Sequence, residues 1–187
     1  MTSPVTNSAA TASLRPQPEE YAPYYDRYVS LVRPNEASGH DILTTLDDQR
    51  RQMLLLLSGR PEADGDLRYA PDKWSLKEVL GHLNDTERIM SYRALRIARG
   101  DQSPIEGYEQ DDYVRNGPFA KLSLSDLIED YIAVRRASLS LFRNLDKADW
   151  SRRGVANKNE VTVRAIAYII AGHELHHRGI IEEKYLK

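Results

Sequence analysis

The chain contains no cysteine. Disulfides, iron–sulfur clusters, thiolate zinc sites and a protein thiol nucleophile are thereby excluded. The absence fits a reducing, cytoplasmic setting. Charge of one sign is also missing: 26 Lys and Arg oppose 28 Asp and Glu in 187 residues. Neither a nucleic-acid footprint nor a polybasic membrane patch is expected from that balance. No apolar run approaches membrane-spanning length. No segment alternates convincingly as a half-buried strand would, and there is no internal repeat. Residues 1–18 are rich in Thr, Ser, Ala and Pro and lack the apolar stretch of a secretory signal. They read as a flexible or extended tail. Residues 1–19 are therefore set apart from a single domain over 20–187, long enough to bury a real core.

What is present is helical periodicity. An aromatic stretch over 20–33 carries Tyr21, Tyr24, Tyr25, Tyr28 and Val32 and is expected to pack on the domain. Asn35 can cap a first helix running to about residue 58, with Ile42, Leu46, Met53 and Leu57 at helical spacing. Gly59-Arg60-Pro61 ends it. Ser75-Leu76-Lys77-Glu78 has the form of a capping box and opens a second helix that Gly100 stops. Residues 101–118 form a long polar loop. Ser123 or Ser125 caps a third helix, a second polar loop holds Trp150, Gly154 and Asn157, and Thr162 caps a fourth. Four helices of this length predict an all-α fold, an antiparallel four-helix bundle.

The last helix carries His173-Glu174-Leu175-His176-His177. Residues four apart share a face, so His173 and His177 point the same way, as two ligands of one metal ion must. With 100° per residue they fall in one arc of roughly 100° with Ile166, Ile169, Ile170 and Ile180, the core-facing stripe. Glu174 and Arg178 are expected to point outward, with His176 at the edge. Two imidazoles on a buried stripe need partners, since an unsatisfied buried polar group costs about 1–3 kcal/mol. A shared metal and a hydrogen-bonded core network are the two solutions. His82, on the second helix, offers a third imidazole if the two helices are neighbours. Glu78 and Asp85 flank it; either could orient a ligand histidine or act as base to a metal-bound water. Arg93, on a mostly apolar face, reads as a snorkelling or salt-bridged side chain or as a holder of an anionic substrate. His40 reads as an ordinary surface histidine, and His176 as a flanking structural or substrate-facing group.

The pentapeptide also matches the His-Glu-x-x-His zinc-protease helix, in which Glu174 would be the base. The absence of strands, the short stretch after His177 and the outward position expected of Glu174 speak against it.

Trp74-Ser75-Leu76-Lys77-Glu78-Val79-Leu80-Gly81-His82-Leu83, with Glu87 and Tyr92-Arg93-Ala94-Leu95 downstream, resembles the second helix of the DinB-like (YfiT-like) metalloenzyme family. Ala171-Gly172-His173-Glu174-Leu175-His176-His177-Arg178-Gly179-Ile180-Ile181 resembles its last helix. The resemblance runs from about Tyr21 to the C-terminus. It implies an up-up-down-down type of four-helix bundle with a divalent metal at one end, held by His82, His173 and His177, and a small-molecule substrate. Members often form homodimers, and an amphipathic bundle with aromatics near its N-terminus is compatible with one. Characterised relatives include transferases that use a low-molecular-weight thiol, and a metal can lower the pKa of such a thiol. Without cysteine, the thiol must arrive as cosubstrate. Three histidines equally suit a hydrolase built on metal-activated water, and a non-catalytic bundle with a structural metal is the reading from another class. Neutral imidazoles fit zinc or nickel, with iron and copper less favoured. Asp111, Asp112, Tyr113 and Arg115 are expected at a pocket rim.

Overall fold

Ser75 starts the longest helix: its Oγ accepts the Glu78 N–H, and the Glu78 carboxylate takes the Ser75 N–H at 2.7 Å. The capping box read from the sequence is therefore formed. The structure, a computed structural model, describes residues 14–33 and 40–187. Its helices are α1 (Asp26–Val29), α2 (Ile42–Leu57), α3 (Leu76–Ala98), α4 (Gln110–Asn116), α5 (Leu124–Arg143) and α6 (Val163–Ile180). A single π-helical turn, Ile181–Tyr185, continues α6. Residues 1–13 of the predicted tail, and Asn35 with its predicted cap, lie outside the described residues. In the described part, Asp41 caps α2 by accepting the Thr44 N–H at 2.8 Å. Residues 14–19 run against the domain, where Pro16 is buried and Arg15 donates to the Val29 carbonyl at 3.1 Å.

The four long helices form a bundle, and side-chain pairs give its directions. Asn84 reaches the Leu127 carbonyl, Glu87 meets Arg135 and Ser91 meets Ser138, so α3 and α5 run parallel. His82 opposite His173, and Trp74 opposite Tyr185, make α3 and α6 antiparallel. Gln49 on Ala171 and Gln52 on Arg178 make α2 and α6 parallel. Helices α2 and α3 each pack on both α5 and α6, so these consecutive helices lie across the bundle from one another. The order of directions is up-down-down-up. This corrects both the simple antiparallel bundle and the up-up-down-down order expected from the sequence. The physical reason lies in the connections, which periodicity does not read. Residues 99–123 are long enough to travel back along the whole of α3, about 34 Å at 1.5 Å per residue, before α5 begins.

That returning segment and the α5–α6 connection are less irregular than expected. Residues 110–116 of the predicted loop are helical. The second loop contains an antiparallel hairpin, β1 (Arg153–Ala156) and β2 (Asn159–Thr162), where no strand was expected. Its two-residue turn places Asn157 and Lys158 at φ of 48° and 65°, the turn geometry that matches strand twist. Four-residue strands are too short for an alternating pattern to stand out. Ile105 extends the hairpin through a bridge to Ala156, donating to the Val155 carbonyl and accepting from Asn157 N–H. The return loop is thus pinned beside α3. Among the described residues no helix is long and apolar enough to cross a membrane.

Candidate metal centre

His173 and His177, one helical turn apart on α6, converge with His82 of α3. One ring nitrogen from each, three in all, lies within 4.8 Å of the others. The Nε2 atoms of His82 and His173 are 3.1 Å apart. Two neutral rings at that distance share one N–H, whereas a cation between them accepts both lone pairs. Tetrahedral Zn–N bonds of about 2.05 Å place ligand nitrogens roughly 3.3 Å apart, so the spacing suits a metal. The rings pack edge-on, with centroids 4.6 to 5.0 Å apart.

Burial sets the protonation of these rings. His82 and His173 are 3 % and 8 % exposed. Burial alone pushes His82 down to about 4. Burial, then the neighbouring His82, His176 and Arg27, pushes His177 down to about 3. His173 is held well below the usual range, first by burial and then by the other histidines and Arg27. All three are neutral near pH 7, the form a metal requires. Thr86 Oγ1 stands 3.5 Å from His82 Nδ1 and 2.8 Å from the Tyr108 hydroxyl, linking the ring to the return loop. Trp74 covers His82 at 4.8 Å between centroids, and Tyr28 covers His173 edge-on at 5.3 Å.

Glu174 does not point outward as expected. It is buried, and its Oε2 accepts from Tyr131 at 2.8 Å and from Arg135 Nη2 at 2.5 Å. Arg135 also grips Glu87 in a two-pronged pair at 2.8 and 2.9 Å and donates to the Leu46 carbonyl. Gln49 completes the cluster through the Ala171 carbonyl. All four long helices contribute to it, and Arg135 and Glu174 are each 1 % exposed. The helical spacing of α6 carries no information about a complementary charge on α5. The sequence reading missed Arg135 and Glu87 for this role; Arg135 on an apolar helix face was the available signal. Glu174 therefore faces Arg135 rather than the triad.

The other residues read from the sequence are dispersed. Glu78 is committed to the α3 cap and to Arg68, at 2.8 Å. Burial raises its carboxyl, but Arg68 and the Ser75 N–H more than offset this and hold it below the usual range. Asp85 is half-buried and raised, first by burial and then by Asp130, against Arg88 at 3.5 Å. Neither carboxylate joins the histidine cluster. His176 is exposed and packs edge-on against Tyr28 and His177. Arg178 is half-buried beside Gln52 and Glu182. His40 pairs with Asp48 at the surface.

Two sizeable hollows meet the triad, besides a space of about 10 Å³ between His173 and the buried charge cluster. A cavity of about 290 Å³ opens on His82 and His173. Its walls come from α3 (Thr86, Met90, Arg93), the return loop (Tyr108) and the N-terminal tyrosines (Tyr25, Tyr28). A second, about 350 Å³, opens on His177 and includes Trp74, Asp111 and Tyr185. Of the expected rim residues, Asp111 lines this second hollow, Tyr113 packs tilted against Tyr108 with centroids 5.0 Å apart, and Asp112 pairs with Arg115 at the surface.

No protein of curated function matches the chain. Among solved structures, YfiT from Bacillus subtilis, described as a probable metal-dependent hydrolase with an unusual four-helix bundle topology, is similar in fold. Its TM-score is 0.69 at 14 % identity, with 95 % of each chain covered. The sequence pattern of the DinB superfamily matches residues 45–181, a span that holds α3, α5, α6 and all three clustered histidines. The chain belongs to the DinB superfamily.

Proposed function

We propose that the protein is a divalent-metal-dependent enzyme acting on a small molecule, with His82, His173 and His177 as the metal ligands. The observation that carries this reading is the convergence of three neutral imidazoles, two buried and one half-buried, beside an open cavity. A structural metal would need no such opening. When bound, the ion supplies Lewis acidity and lowers the pKa of a thiol or water that reaches it. Zinc or nickel suits the all-imidazole donor set.

The chain's own groups orient and shield. Thr86, tied to Tyr108, faces His82 Nδ1. Trp74 and Tyr28 limit water on two sides. No buried carboxylate lines the cavity, and Asp85, which burial raises, stands on α3 outside the lining of both hollows. With little base chemistry in the cavity, a thiol or a water would both depend on a bound metal to lower their pKa. Transfer of a low-molecular-weight thiol to a small electrophile is the leading reaction, the thiol arriving as cosubstrate because the chain has no cysteine. Hydrolysis is the second reading, favoured by the likeness to YfiT.

The test begins with metal content per chain in the parent and in His82→Ala and His173→Ala. Near one equivalent in the parent, lost in both variants, supports the site. Turnover that requires added thiol selects transfer, and turnover without it selects hydrolysis. A parent that takes up neither zinc nor nickel defeats the proposal.

A further inference from the structure

Arg93 lies on the same face of α3 as His82, Thr86 and Met90, and all four line the 290 Å³ cavity. It is only 3 % exposed. Among the described residues it forms no ion pair. Its Nη2 donates to the Glu106 carbonyl at 3.0 Å, its Nη1 meets the Met90 sulfur at 3.8 Å, and its Nε is buried with no partner. This contrasts with Arg135, which is saturated by two carboxylates in the same bundle. The phenols of Tyr25 and Tyr108 face the guanidinium. Burial pushes both up; Arg93 pulls Tyr25 back, and Thr86 and then Arg93 pull Tyr108 back. The one acidic side chain on this wall, Glu109, is exposed.

A buried guanidinium is normally paired, because desolvating an isolated charge is costly. Here the charged pairing group is missing, and Arg93 stands in the wall of an open cavity with its enclosed Nε–H unpartnered. Side chains on a helix lean toward its N-terminus, and the contact with Met90 shows that Arg93 leans toward His82. The eleven-residue separation spans about 16 Å of helix, so roughly 10 Å remain between guanidinium and triad once that lean is allowed for. A cavity of this size is at the small end of ligand sites.

We propose that Arg93 is a binding residue for the carboxylate of a small monoanionic substrate whose reacting end lies at the histidine triad. One guanidinium without an ion pair matches one negative charge, and planar Arg–carboxylate pairing uses two parallel N–H groups. Tyr25 and Tyr108 line the same cavity. The inference deepens the proposed function, since it assumes that this cavity takes the substrate.

The experiment uses metal-stripped full-length protein, so that the probe cannot be held by a metal. Hexanoate, its neutral isostere hexanamide, and inorganic phosphate are titrated by calorimetry against the parent, Arg93→Gln and Arg93→Lys. Hexanoate is expected to bind the parent at least tenfold more tightly than either other probe. Arg93→Gln should lose that preference and Arg93→Lys keep part of it. If Arg93→Gln does not fold, the Arg93 Nε–H resonance of the parent provides the reading, and it should shift with hexanoate and not with hexanamide. Equal binding of hexanoate and hexanamide, an unmoved Nε–H, or a preference for phosphate overturns the proposal. Metal content is measured separately, so loss of carboxylate binding and loss of the metal site are distinguishable.

Discussion

His173 and Glu174 are neighbours in sequence that face opposite structures. His173 turns Nε2 to within 3.1 Å of His82, and Glu174 puts its carboxylate 2.5 Å from Arg135. Consecutive helical residues diverge by 100°, so one turn of α6 serves both the histidine cluster and the buried charge cluster. The charge cluster clamps α6 against α5, α3 and α2 and so sets where His173 stands.

Removing one side of that clamp should be expensive. Arg135→Met leaves Glu87 and Glu174 buried without a counter-charge, and a broken buried pair costs about 3–5 kcal/mol. Chemical denaturation should show a loss of that size. A variant within 1 kcal/mol of the parent would show that the cluster does not hold the bundle.

His177→Ala should remove most bound metal while leaving the helical circular dichroism close to that of the parent. His177 is only half-buried and truncation deletes no core contact on the scale of a leucine. Full metal occupancy in this variant would contradict the three-histidine assignment.

Gly172→Ala tests how the N-terminal segment covers the site. A Cβ there would sit 2.0 Å from the Tyr28 carbonyl oxygen, a backbone atom. Alanine should gain up to about 1 kcal/mol of helix propensity. Overpacking of about 1–3 kcal/mol opposes it and should dominate, because backbone cannot rotate aside. The expected result is lower stability together with faster amide exchange over residues 24–30. A stabilised variant would mean that the segment lifts freely.

The same segment should respond to acid through Glu20. This buried carboxylate accepts from Thr162 at 2.8 Å and pairs with Arg164. Burial raises its pKa, but Arg164, the Gln17 N–H and Thr162 outweigh burial and leave it below the ordinary 4.5. A depressed carboxyl binds fewer protons in the folded state than in the unfolded one. Its contribution is therefore complete above about pH 4.5 and is lost as pH falls through the lowered folded value. Tyrosine fluorescence should report loosening of the 20–28 segment in that acid range in the parent, and already at pH 7 in Glu20→Gln. An identical profile for the two would remove Glu20 as the anchor.

The sequence alone determined the long helices and the spacing of the candidate ligands. Apolar periodicity, the Ser75–Glu78 box and the Thr162 cap are local and all form, and of Ser123 and Ser125, both open to the sequence, Ser123 caps α5. A four-residue spacing needs nothing beyond helix geometry to align His173 with His177. Tertiary structure decided the rest, because each item depends on what faces a residue from a distant segment. Whether His82 would meet the pair turned on α3 packing antiparallel to α6. The inward turn of Glu174 required Arg135, 39 residues away on α5. The hairpin depended on Ile105 and on pairing between strands too short to carry a pattern. That Arg93 has no ion pair emerged only once the return loop and the N-terminal tyrosines had closed around it without bringing a carboxylate into contact.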